Sequence, residues 1–464
     1  MENKSLTVEK IVEISQGTLI SGSLTSTINT YSVDTRKLGK NDLFISLNIE
    51  KERGIKYIGE AFEKGAIGCI TEFEIPKEIL EKNKNKIIIK VKNVEKTIQD
   101  LARYKRKLYD MPVVAITGSV GKTSTKEMIS KVLEQRYIVA KTQGNYNNHI
   151  GVPITILNWQ IDATAAVVEM GMNHFGEIAL LSEITRPTIA VITNIGTAHI
   201  GNLGSRENIL KAKLEILEGI KKHGKIILNN DNDLLNKVNS EKYEKITFGI
   251  KNESDYKAEN ILINANNSEY YLKIYNKKYK INVPVGGEHF IYNSLCAIAV
   301  GRTLNIEMEK IIDGIKLYRT TEKRNEIIEK NNLKIINDYY NASYDSMKAS
   351  LETLSKLQSE RKVAILGDML ELGNFSEELH RKVGKEVVKN KIDVLITVGD
   401  LSKTIFDEAK KLGVNEAYHF KSNKDCLTQI DDIVKKGDAI LIKASNRMNF
   451  GEISTHLQKD KTQT

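Results

Sequence analysis

Short apolar runs set apart by segments of helical spacing recur along most of the chain. TVEKIVEIS (7–15) has the spacing of a helix. DLFISL (42–47), AIGCITEF (66–73) and KIIIKV (86–91) read as strands, with YIGEAFEKGA (57–66) as a helix between the first two. The helix VEKTIQDLARYKRKLY (94–109) then leads into Pro112. From about residue 110 the apolar runs become continuous: VVAIT (113–117), ATAAVVEM (163–170), TIAVITN (188–194) and KIILN (225–229), with helices between them. Such strands are buried on both faces, which predicts a parallel sheet covered by helices whose ligands sit at the strands' carboxyl ends. LKIINDYY, KVAILGDM, IDVLITVGD and DAILIKAS repeat the pattern after residue 319, with helices near 345–358, 376–390, 402–412 and 424–436. This second set is Rossmann-like but lacks G-x-G-x-x-G, which argues against a dinucleotide. The pattern predicts an α/β protein of three domains: a small one over 1–108, a central parallel-sheet domain over 109–318 and a Rossmann-like domain over 319–464. The last break falls in the polar stretch YRTTEKRNE (318–326).

The chemistry gathers first at PVVAITGSVGKTST (112–125). Pro112 to Thr117 is the strand, Gly118 to Ser124 a glycine-rich turn, and Thr125 to Glu134 the helix that follows. Glycines let the backbone bend until several N–H groups point at one spot, and a helix N-terminus adds positive partial charge, so the turn is a phosphate cradle. Gly118, Ser119, Val120, Gly121, Lys122, Thr123 and Ser124 form it, Lys122 reaching the outer phosphates and the Thr123 hydroxyl holding Mg2+. Ile116 stands where the G-x-x-x-x-G-K-[ST] pattern has its first glycine. Glu169 closes the second strand and His199 follows the third, so with Thr123 they are the expected Mg2+ ligands.

Composition narrows the field. With 464 residues, 41% hydrophobic and 28% charged, the chain is that of an ordinary soluble globular protein. Cys69, Cys296 and Cys426 lie far apart in or beside apolar runs, which excludes a disulfide framework or a zinc site. MENKSLTVEK has no apolar signal region, and no run approaches the ~18 apolar residues of a membrane span, so a cytoplasmic protein is expected. The net charge of +9 is spread among alternating lysines and glutamates, which suits anionic small substrates better than nucleic acid.

Other polar sites have an ordinary structural reading beside the functional one. Asp34-x-Arg36, before the first clear strand, reads as a local salt bridge. In SRENILKAKLEILEGI (205–220), Lys211 and Lys213 near Glu215 read as charge pairs on a surface helix. Asn293, in the helix after a glycine turn, either caps or reads a base edge. In the last domain polar residues follow the strands: Asp338 and Asn341, Asp368 with Glu371, then Lys443 and Ser445.

Taken together, Thr117–Ser124, GNYNN (144–148), EMGM (169–172), Asn194-x4-His199, AKxEI (212–216), DxYNA (338–342) with Ser346-Met347, and GDMxEL (367–372) resemble the Mur ligases, the ATP-dependent amide-bond ligases of peptidoglycan synthesis. The resemblance covers nearly the whole chain. It implies a first domain holding the UDP end of a UDP-N-acetylmuramoyl-tripeptide, a middle domain binding ATP, and a last domain receiving D-alanyl-D-alanine. It implies catalysis by Lys122, Glu169, His199 and Lys213, the last as a carbamylated lysine helping to hold a second Mg2+. Asn293 would contact adenine, Arg324 and Asp338 the nucleotide, and Thr35, Arg36, Asn145, Asn148 and Asn341 the substrates. A monomer acting on small molecules is expected. The chain departs from the family pattern at Thr35, at His149, in the 48–58 segment, which lacks Asp-Gly-His, and at Asn446. The rivals are a single-amino-acid ligase, expected to carry Asp-Asn-Pro-Arg where DYYNASYDSM stands; a folylpolyglutamate synthase, which would not need the first domain; and a nucleic-acid-associated P-loop ATPase.

Overall fold

The computed structural model describes residues 4–48, 54–264 and 266–459; of the 48–58 segment, residues 49–53 lie outside the described residues. Two compact units are formed, one from the described residues of Met1–Thr117, Arg136–Val191 and Leu214–Ile226, the other from Gly118–Gln135, Ile192–Lys213 and the remainder after Ile227. The class is α/β with parallel sheets.

In the first unit, the strands Tyr31–Ser32, Leu43–Ile45, Gly68–Thr71 and Ile87–Lys90 lie side by side in parallel, and Thr18–Ser21 adds an antiparallel edge. Phe44, Cys69 and Ile88 of this sheet pack on Ile58, Ala61 and Phe62 of the helix Ile58–Glu63, so Cys69 serves as a small apolar side chain. The same unit contains Val113–Thr117 with Ala165–Glu169 parallel beside it and Val139–Lys141 beyond. The register sets Glu169 opposite Ile116, and Met170 N donates to Ile116 O at 2.8 Å.

The helix Val94–Lys107 carries two cations into the interior. Arg106 donates to the carbonyls of Thr185 (2.6 Å), Tyr109 (2.7 Å) and Arg186 (3.1 Å), and Lys105 donates to Leu157 O. Leu157 and Thr185 end the helices Gly151–Leu157 and Glu177–Thr185. Carbonyls there have no partner inside their helix and carry negative partial charge, so a buried cation satisfies both needs. Burial still lowers the Lys105 pKa, to about 8.

In the second unit, the helix after the glycine turn runs Lys122–Leu133, starting before the expected Thr125, with Gly121 as its N-cap and Thr125 N donating to Gly121 O at 2.9 Å. The strands Glu244–Gly249, Tyr256–Ile263, Ser268–Ile274 and Lys277–Val283 follow, the last three antiparallel. The C-terminal sheet is ordered Glu326–Lys330, Leu333–Asn337, Ala439–Lys443, Lys362–Gly367, Val394–Val398, Glu416–Phe420, and only the first strand is antiparallel. The expected helix over 424–436 is two short ones, Asn423–Leu427 and Ile430–Ile433. Among the described residues no helix is long and apolar enough to cross a membrane.

Replacing Arg106 by Met keeps the volume and strands three carbonyls. Stability is expected to fall by about 3 kcal/mol and the thermal midpoint by on the order of 5 °C or more. Lys107→Met, on the exposed side of the same helix, should leave it within about 1 °C. Equal midpoints for the two variants would show that the carbonyls need no cation.

Candidate active site

The glycine turn is shaped by what it touches. Gly118 has φ 153°, and a Cβ there would lie 1.9 Å from Thr193 Oγ1, so no other residue fits. Gly121 caps the helix Lys122–Leu133 at φ 84°. The segment 193–196 fastens the turn: Thr193 Oγ1 and Asn194 Nδ2 both donate to Val120 O, at 2.8 and 2.9 Å. Val120 N donates to Asn194 Oδ1 (2.9 Å), Ser119 N to Asn194 O (3.1 Å), and Gly196 N to Ser119 Oγ (2.9 Å). The amides of Ser119 and Val120 are thus committed to Asn194, and the anion-attracting end of the cradle is the first turn of the helix. Lys122 Nζ folds back to donate to Gly118 O at 2.7 Å.

Thr123, Ser124, Asn293 and Lys213 belong to the same unit. Thr123 is buried, and Ser124 hydrogen-bonds Tyr318. Asn293 is buried with its Oδ1 accepting from Thr125 Oγ1 at 2.9 Å, while its Nδ2 finds no partner among the described residues. An orphaned buried donor costs about 1–3 kcal/mol, a cost that a ligand acceptor such as a ring nitrogen removes. Lys213 overturns the surface-helix expectation. It is 1% exposed, and desolvation, then repulsion from Lys122, holds its pKa well below the usual lysine range. Nor does Glu215 pair with the lysines. It accepts from Gly176 N (2.9 and 3.0 Å) and Ala179 N (3.2 Å) and caps the helix Glu177–Thr185.

In the first unit, Glu169 is 1% exposed and accepts from Asn147 Nδ2 at 2.8 Å. Gly171 N donates to Asn147 O at 2.8 Å, and a Cβ on Gly171 would lie 2.9 Å from Asn147 Oδ1. Asn147 therefore aims the carboxylate. Nothing in the pattern of GNYNN prefers it over its neighbours Asn145 and Asn148. Asn145 is exposed, and Asn148 Oδ1 accepts from Gly151 N (2.8 Å) and Ile150 N (3.2 Å), leading the chain into a helix. At the other substrate motif the local salt bridge is present: Arg36 Nε and Nη2 donate to Asp34 at 2.9 and 2.8 Å. That hydrogen bond holds the Asp34 carboxyl at about 2, while the Arg36 side chain is 83% exposed. Thr35 O accepts from Lys64 Nζ at 3.1 Å. His149, where the family pattern has an acid, accepts at its carbonyl from Gln99 Nε2 (3.4 Å).

Around the C-terminal sheet, Asp338 acts as a strut. Lys443 Nζ and Ser350 Oγ both reach its Oδ2 at 2.6 Å, and Asn325 N donates to Oδ1 at 3.2 Å. Arg324 lies 3.7 Å over the Tyr340 ring, and Asn341 is exposed. Two acids that the sequence did not single out as site residues reach the segment carrying His199. Thr197 donates to Asp345 Oδ2 from N (2.8 Å) and Oγ1 (3.0 Å), and His199 Nδ1 lies 3.0 Å from Glu371 Oε2. His199 and Glu371 both have φ in the left-handed region, 63° and 64°, at about 1 kcal/mol each.

Among the described residues no three His, Cys, Asp or Glu side chains gather to ligate a metal. A cation such as Mg2+ takes few protein ligands and completes its shell with water and substrate phosphates. In the second unit the Thr123 hydroxyl is buried and His199 Nδ1 is held by Glu371, and in the first the Glu169 carboxylate is buried and held by Asn147; each is by its chemistry a donor such a cation takes.

Comparison with known proteins agrees with this geometry. Residues 116–301 match the Mur ligase middle domain, and residues 323–446 match the Mur ligase, glutamate ligase domain. The chain is 38% identical over 451 residues to the UDP-N-acetylmuramoyl-tripeptide--D-alanyl-D-alanine ligase of Bacillus subtilis, covering 96% of this chain and 97% of that one. Its structure is similar to MurF from Acinetobacter baumannii, with a TM-score of 0.88, 26% identity and coverage of 98% and 99%. It is also similar to MurF ligase from Thermotoga maritima in complex with ADP, with a TM-score of 0.79, 26% identity and coverage of 93% and 97%. The glycine turn, the acid and imidazole that follow neighbouring runs, the buried lysine and the full-length match have one explanation: the chain belongs to the Mur ligase family.

Proposed function

We propose that the chain catalyses the ATP-dependent joining of D-alanyl-D-alanine to UDP-N-acetylmuramoyl-tripeptide, a step in building the peptidoglycan precursor. Full-length similarity to ligases of that name supports the specificity. The nucleotide half rests on one observation: the partnerless Nδ2 of Asn293 beside Gly121, at the helix end that draws phosphate. The enzyme works in the cytoplasm as a monomer, with residues 1–108 holding the UDP end, 109–318 ATP and 319–464 the dipeptide. Thr35, Arg36, Asn145 and Asn148 serve the UDP-peptide, Asn341 the dipeptide, and Arg324 and Asp338 the nucleotide.

The reaction has two displacements. A carboxylate oxygen of the tripeptide attacks the γ-phosphorus of ATP and ADP leaves, giving an acyl phosphate. The dipeptide's amine then attacks the acyl carbon, and the tetrahedral intermediate expels phosphate as the amine loses its proton. Both partners in the first step are anions, so their approach needs positive charge already in place. Lys122 supplies it by exchanging Gly118 O for the γ-phosphate, and the helix's first turn holds the phosphates still. Thr123, Glu169 and His199 would hold Mg2+, which when bound neutralises phosphate charge. Burial disfavours the ammonium form of Lys213, and the neutral amine is the form that adds CO2 to give a carbamate and a proton. As an ammonium it repels Lys122; as a carbamate it would be attracted to Lys122 and would be an anionic group able to help hold a second Mg2+.

ATP turnover is expected to require the UDP-peptide and D-alanyl-D-alanine together and to ignore polynucleotide, and turnover driven by polynucleotide would overturn the assignment. Lys122→Ala should lower ligation by ~10²-fold or more in a phosphate-release assay; near-native turnover would remove the lysine from the mechanism. Lys213→Ala should lose activity that added short carboxylates partly restore. A variant as active as wild type would end the carbamate role.

A further inference from the structure

The segment 196–201 carries His199 and is gripped at two points from the C-terminal sheet. At one, Asp345 Oδ2 accepts from both N and Oγ1 of Thr197, and a Cβ on Gly196 would lie 2.3 Å from that oxygen. At the other, His199 Nδ1 meets Glu371 Oε2 at 3.0 Å, and Gly201 N donates to Glu371 O at 3.3 Å. There a Cβ on Gly201 would lie 2.6 Å from Glu371 O, and one on Gly373 3.1 Å from Gly201 Cα. Glycines thus stand at both points of closest approach, and the paired side chains both belong to residues with left-handed backbone. Left-handed backbone at both residues of one hydrogen bond costs about 1 kcal/mol at each and persists only where the surroundings hold it.

The chemistry of the pair fixes a proton. A carboxylate only accepts, so the Nδ1 facing Glu371 carries the hydrogen, and in the neutral ring the lone pair then lies on Nε2. A carboxylate behind a ligating imidazole sets the tautomer, fixes the ring orientation and strengthens the ligand. We propose that Glu371 is a positioning residue: it sets the His199 ring so that Nε2 is the metal-ligating nitrogen, and Asp345 fixes the segment on which that ring rides. Resting on the ligase reading above, this makes a strong metal ligand of His199 only while the loop of Glu371 and the helix Tyr344–Lys356 are docked on 196–201. Arrival of the C-terminal segments and readiness of the metal site are then one event. A loop carrying His199 alone would leave the imidazole free to rotate and to exchange tautomers.

The test is a Mn2+ titration followed by electron paramagnetic resonance, with ADP present, on the full chain. Glu371→Ala should weaken Mn2+ binding about 10-fold or more. Glu371→Gln, which keeps an acceptor for Nδ1–H without the charge, should fall between it and wild type. Glu378→Ala, at an exposed acid on a helix of the same domain, is the control and should bind as wild type. In ligation, Glu371→Ala should raise the apparent KM for Mg2+ while the KM for the UDP-peptide stays put. Mn2+ affinity in Glu371→Ala equal to the control, or a wild type that binds no Mn2+ with ADP present, would overturn the proposal. Should Glu371→Ala not fold, Glu371→Gln decides on the same criterion. Failure of wild type to ligate D-alanyl-D-alanine would instead overturn the ligase reading, and the metal titration reports separately from it.

Discussion

The site depends on a close backbone approach. Between Gly118 and Thr193 there is no room for a single methyl group. That contact lets Asn194 exchange hydrogen bonds with Val120 in both directions, so the protein's own groups hold the turn in shape. Preorganisation is what electrostatic catalysis requires, because donors fixed in advance need no reorganisation when charge develops. The same segment, a few residues on, carries Thr197 and His199. The turn proposed to receive phosphate and the side chain proposed to receive metal are therefore both fixed by one short piece of chain, 193–199.

Much of this was legible in the sequence because the signals were local. The strand, turn and helix at 112–134 needed only apolar continuity, two glycines and a lysine, and the C-terminal strands needed only their unbroken apolar runs. What escaped was non-local or polar. The antiparallel strands over 256–283 alternate lysine and asparagine with apolar residues, and their pairing partners are set by hairpins that no period reveals. The edge strands Glu326–Lys330 and Glu416–Phe420 face neighbours on one side only, so their sequences have no continuous apolar run.

Within the site the same division holds. Lys122 and Gly121 are read from their spacing. Asn147, Asp345 and Glu371 are not, because each acts on a residue distant in sequence: Glu169, Thr197 and His199. Among three asparagines in GNYNN, nothing in the pattern separates the one that aims a carboxylate from the one that starts a helix. Glu215 shows the converse. Its spacing from Lys211 suggests an ion pair, yet the unsatisfied amides of a helix start are stronger competitors for its oxygens.

The buried cations show how to tell a structural charge from a chemical one. Lys105, Arg106 and Lys213 are equally hidden, each 1% exposed. The first two have carbonyls of helix ends to donate to, so their charge is answered by the fold. Lys213 has no such hydrogen bond among the described residues, and the charge near it is the cation of Lys122. A fold selected for stability alone would be better served by an apolar side chain of similar volume. Burial beside a like charge disfavours the ammonium form of that lysine. Burial with partners marks the first pair as scaffold, and burial beside a like charge is what singles out Lys213, the residue proposed above to carry a carbamate.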